Sequence, residues 1–101
     1  MTNEELLMEL ENLVIAIEDT FTAITGAICE NTSPSRTLKN LLAAETALNV
    51  NHGPNEWRDR LFRSPLKIAA LKSRAQAVND PELQSLISSV LSGKTEDDPT
   101  H

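Results

Sequence analysis

The chain has 101 residues and a net charge of −6, and it is 40% hydrophobic but only 3% aromatic. Ten of the apolar residues are Ala and fourteen are Leu, which suits one compact domain better than two and argues against a disordered chain. The longest charge-free runs, 20–29 and 83–93, fall short of the ~18–20 residues of a membrane span; the first charges are acidic, unlike a signal peptide, and the one cysteine allows no internal disulfide, so a cytoplasmic protein with no membrane contact is expected.

Thr2 or Asn3 is placed to cap a first helix over 3–30, with Glu4 and Glu5 at the positive end of its dipole. Leu6, Leu10, Leu13, Ile17, Phe21, Ile24 and Ile28 then follow in steps of 4, 3, 4, 4, 3 and 4, a helical stripe close to a heptad, widened by Leu7 and Val14. The β-branched residues Val14, Ile15, Ile17 and Thr20, with Gly26 further on, support a competing strand near 13–17. Periodicity over more than twenty residues outweighs them. Whether the helix kinks at Gly26 is left open. The segment Asn31-Thr32-Ser33-Pro34-Ser35 reads as a break; its match to a glycosylation sequon is taken as chance.

A second helix is expected from Ser35 or Arg36, with Leu38, Leu41, Leu42, Glu45 and Leu48 on one side, ending in the turn residues 49–54. A short third helix, 55–63, places Trp57, Leu61 and Phe62 toward the core and Arg58, Arg60 and Arg63 largely away from it. Ser64-Pro65 reads as a cap and first helical proline, starting a fourth helix over 65–79. Its stripe is Ile68, Leu71, Ala75 and Val78. Its other side, Leu66, Ala69, Ala70, Ser73 and Ala77, is small and nearly uncharged, so this helix is expected to be central. Asp80-Pro81 repeats the start signal for a fifth helix, 81–92, with Leu83, Leu86, Ile87, Val90 and Leu91 inward and Gly93 ending it. The fold class is therefore all-α, a small bundle of four to five helices with a long N-terminal helix. It forms a single domain over 1–93, followed by a disordered acidic tail at 94–101.

Charge is unevenly divided: −7 over 1–35, +5 over 36–74 and −4 over 75–101. The simplest reading is an acidic helix lying beside a basic one. The sharper reading is one solvent-facing basic patch, Arg58, Arg63, Lys67 and Arg74, offered to an acidic partner.

No catalytic, cofactor or metal site is expected. His52 and His101 lack partners at ligand spacing, Cys29 has no basic group in its own turn, and no phosphate-binding or nucleophile motif occurs. The function expected is a non-enzymatic protein-interaction or regulatory role. Another protein is the partner, and homodimerisation runs through Leu6, Leu10, Leu13, Ile17 and Phe21, because a continuous first helix of roughly 42 Å outreaches a globule of this size. The alternative is a DNA-binding regulator using the basic helices at 55–74, weakened by Glu56, Asp59 and the overall acidity. One oddity remains: Ser85, Ser88, Ser89 and Ser92 occupy the outer side of the last helix, where charge is usual, so that side is expected to be at least partly covered.

Overall fold

The computed structural model describes residues 2–93; the expected acidic tail lies outside the described residues. Within them the chain is all-α, with four helices and no strand: α1 (Asn3–Asn31), α2 (Pro34–His52), α3 (Glu56–Ser73), a 3-10 turn over Arg74–Gln76, and α4 (Pro81–Ser92). Thr2 caps α1, its Oγ1 accepting from the Glu5 N–H at 3.1 Å, and the helix runs unbroken through Gly26. Ser33, Asn55 and Asp80 cap the other three through their side chains, and Gly53 and Gly93 close α2 and α4 with positive φ.

Glu11 and Glu18 meet Arg60, Phe21 meets Phe62, and Glu30 approaches Lys72. Residue numbers rise together along these contacts, so α1 and α3 run in the same direction, and α2 runs opposite to them, with Ser35 near Gln76 and Asn49 near Arg58. α3 is central, packing against α1, α2 and α4. The core is small: Cys29, Leu38, Phe62, Leu66, Ala69, Ala70, Ala77, Leu83 and Ile87, flanked by Phe21, Leu41, Leu42, Leu86, Val90 and Leu91.

Several expectations are corrected. The segments 55–63 and 65–79 are one helix with Pro65 inside it, completely buried, and the second of them stops at Ser73 rather than residue 79. Nothing between Leu61 and Ser64 breaks the helix, and burying the proline ring with Leu66 and Ala69 offsets the roughly 3 kcal/mol of an interior proline. The segment's small side is the buried one, while Leu71 and Val78 of its larger stripe are exposed. α3 lies against three helices at once, and Ala69, Ala70 and Ser73 permit that approach where Ile or Leu would not. Trp57, expected in the core, is 54% exposed and carries the Arg60 guanidinium over its ring at 5.9 Å. The serine side of α4 is open within the chain: Ser85, Ser88, Ser89 and Ser92 are all exposed.

Candidate interaction surface

α1 presents two different lines of residues. Toward the bundle run Glu11, Val14, Glu18, Phe21, Thr25 and Cys29, in steps of 3, 4, 3, 4 and 4, with Thr25 and Cys29 fully buried. The Thr25 hydroxyl donates to the Phe21 carbonyl at 2.8 Å, so it needs no partner from another helix. Arg60 clasps this line from α3. Its Nη1 donates to Glu11 Oε2 at 3.1 Å, Nη2 donates to Glu11 Oε1, and Nε donates to Glu18 Oε1 at 3.3 Å. The fork holds the Glu11 carboxyl below its ordinary range, chiefly through these hydrogen bonds, and raises the pKa of Arg60 in turn. With Lys72 and Glu30 at 4.0 Å, the acidic helix is tied at two points to the basic one.

The second line is the apolar stripe, and it points away from the bundle. Leu6, Leu10, Leu13, Ile17, Ile24 and Ile28 are each between 44% and 56% exposed. Phe21 is the exception: it is half-buried, set edge-on against Phe62 with ring centroids 5.5 Å apart. At 3.6 residues per turn, the stripe lies about 100° round the helix from the inward line. A shallow apolar hollow of about 300 Å³ opens along its middle, lined by Ala16, Ile17, Thr20, Phe21 and Ile24. The first two turns, through Leu10, are exposed throughout and project beyond the bundle. The molecule measures 55 × 35 × 27 Å.

By length and composition alone, α1 is long and apolar enough to cross a membrane, with a mean hydropathy of 1.3 over its best 18 residues. Counting charge-free runs missed this, because Glu18 and Asp19 split a segment that is apolar on both sides of them.

The expected basic patch divides. Arg63, Lys67 and Arg74 are exposed and lie on one line of the α3 direction, in steps of 4 and 7. Arg58 does not join them. It is half-buried on the opposite side, its Nη1 donating to Asn49 Oδ1 at 2.7 Å and to the Gly53 carbonyl at 2.9 Å, where it closes the end of α2. This turn also lifts Glu45 of α2 above the ordinary carboxyl range, through burial first and then the neighbouring Asp59, against the pull of Arg58. Cys29 is buried, His52 is exposed in the last turn of α2, and no three potential metal ligands gather among the described residues.

The Arg60 clasp was not foreseen. Its signal in the sequence is two acids seven residues apart on a helix without a base. Comparison of the chain with known protein families, with curated proteins and with solved structures gave no match.

Proposed function

We propose that this is a non-enzymatic, adaptor-like interaction or regulatory protein of the cytoplasm, acting through the outward apolar stripe of α1, and that a second copy covers that stripe in solution. One observation carries the reading: α1 is anchored on one side by Arg60 and the Thr25–Cys29 line, while Leu6, Leu10, Leu13, Ile17, Ile24 and Ile28 stand in water on another. Contiguous apolar surface of this kind marks an interface. Insertion of α1 into a membrane would strip it from α3 and break the Glu11 and Glu18 contacts, which favours a protein occupant.

Sedimentation equilibrium at micromolar concentration tests this. A dimer of about twice the 11.1 kDa chain mass is expected. Leu13→Asp should weaken it at least tenfold, since an unpaired carboxylate would be buried at an apolar seam, while helical content stays unchanged. A monomer at all concentrations, or a monomer that partitions onto lipid vesicles, overturns the proposal.

The exposed Arg63–Lys67–Arg74 line favours a second reading, DNA binding through α3. Salt separates the two. Binding to DNA should fall with a log–log slope of roughly −0.9 per phosphate contacted, whereas apolar pairing should change little.

A further inference from the structure

Resting on that reading, we infer that two copies pair their α1 helices antiparallel, on a two-fold axis at Ile17, so that each copy's projecting N-terminal turns lie on the other copy's bundle.

The spacing of the stripe is the first ground. The steps 4, 3, 4, 4, 3, 4 read the same in both directions, and Ile17 is their midpoint. A two-fold axis there sets residue i against residue 34 − i, bringing Leu6 to Ile28, Leu10 to Ile24, Leu13 to Phe21 and Ile17 to its own copy. Every stripe residue thus meets a stripe residue. The pattern is also two repeats of eleven, from Leu6 to Ile17 to Ile28, or about 3.67 residues per turn. Such a stripe stays almost straight on an α-helix, so the pair needs no left-handed supercoil over its roughly 33 Å.

Side-chain size is the second ground. The N-terminal half of the face is large, with Leu6, Leu10 and Leu13. Beside the stripe in the C-terminal half run Ala16, Thr20, Ala23 and Ala27, all exposed, and the hollow lined by Ala16, Ile17, Thr20, Phe21 and Ile24 lies there. Antiparallel pairing brings Leu10 and Leu13 of the second copy over the hollow. Parallel pairing sets Ile17, Phe21 and Ile24 against their own copies there and leaves the N-terminal leucines away from the hollow.

Charge and shape are the third. Glu5 and Glu9 flank this face near the N-terminus. Parallel helices would put these acids in the same layers as their counterparts. Antiparallel helices hold the two Glu5 side chains about 36 Å apart along the axis, several screening lengths at physiological salt. In the antiparallel arrangement the projecting turns lie on the second copy's bundle rather than on its equally projecting turns. The half-exposed stripe, with Phe21 and the small residues, offers on the order of 600 Å² per copy, so the pair reaches the lower end of specific interfaces.

Nitroxide distances in the full chain decide this. In a Cys29→Ala background, single labels at Glu5→Cys and Asp19→Cys occupy exposed positions off the stripe. Antiparallel pairing predicts about 40 Å between the two copies' labels at position 5 and about 20 Å at position 19. Similar distances near 20 Å at both positions would mean parallel pairing, which overturns the inference and leaves the interaction reading standing. A monomer without coupling between copies overturns both. The unlabelled protein gives an independent check. Its dimer dissociation constant should stay within about twofold between low and high salt, whereas a parallel pair, relieved of its acid repulsion, should tighten clearly.

Discussion

Two threonines one turn apart on α1 show how much a single hydroxyl depends on its surroundings. The Thr25 hydroxyl is buried and bonded to the Phe21 carbonyl. The Thr22 hydroxyl is buried with no hydrogen-bond partner. Leaving such a group unpaired costs about 1–3 kcal/mol, and a methyl of the same shape removes that cost. Thr22→Val is therefore expected to stabilise by about 1 kcal/mol, a rise of roughly 4–8 °C in Tm for a domain of this size. Thr25→Val should not stabilise, because its hydroxyl is already satisfied. Thermal melts of the two variants side by side check this, and equal shifts would contradict it. Glu45 makes the corresponding point for charge. Its folded pKa is raised by burial and by Asp59. The folded protein therefore keeps a proton that the unfolded chain releases, and the stability tied to Glu45 falls as pH rises from the ordinary carboxyl range through the raised value. At pH 7 the ionised group works against folding. Glu45→Gln is expected to melt higher than the parent at pH 7, with the difference shrinking as pH is lowered through the carboxyl range. A difference that grew on acidification would reverse the assignment.

At the scale of elements, three serine- or aspartate-proline pairs carry the same start signal and meet different fates. Ser33-Pro34 and Asp80-Pro81 do open helices, each after residues that had already let the chain leave the previous one. Ser64-Pro65 opens none, because Leu61, Phe62 and Arg63 carry the helix into it and the ring is buried on arrival. The signal is local, and the outcome depends on whether a preceding break exists. α2 shows the converse: Ser33 belongs to a segment whose composition signals a break, yet its Oγ accepts from the Arg36 N–H at 3.4 Å and its cap moves the helix start to Pro34. On α4 the serine side faces water within the chain. Ser88→Lys with Ser89→Lys is accordingly expected to leave Tm unchanged or slightly raised, within about 0.5 kcal/mol, since Lys is the better helix former. A loss above about 2 kcal/mol, or a change of oligomeric state in sedimentation, would mean that a partner covers this side.

The molecule as a whole is long for its mass, with a radius of gyration of 15.4 Å where about 13 Å is usual for such a chain. Among the described residues, three of the nine buried hydrophobic residues are Ala, and the apolar weight of α1 lies outside the core. A core this small gives a modest share of stability, and covering α1 would add to it. Assembly and stability should then be linked: the parent's Tm is expected to rise with protein concentration, whereas that of Leu13→Asp should not. A concentration-independent Tm in both would speak against a dimer.

Sequence alone determined the helical class, the long first helix with its cap at Thr2 or Asn3, the inward side of α4 and the existence of an apolar stripe on α1. Each of these follows from periodicity and local capping, which a stretch of chain carries with it. Which side of a helix turns inward was decided by tertiary structure. In α1 the side of Glu11, Glu18, Phe21, Thr25 and Cys29 lies against the bundle, where Arg60 on α3 meets both carboxylates and Phe62 meets Phe21, and the apolar stripe is left outside. In α3 the side of Ala69, Ala70 and Ser73 won because three helices must approach it closely. Arg58 was turned away from Arg63 and Lys67 by the carbonyl of Gly53 and the side chain of Asn49. Hydrophobic periodicity shows that a helix has an apolar side; which neighbour covers it depends on charge pairing and size matching between segments far apart in the chain, and these exist only once the helices are packed.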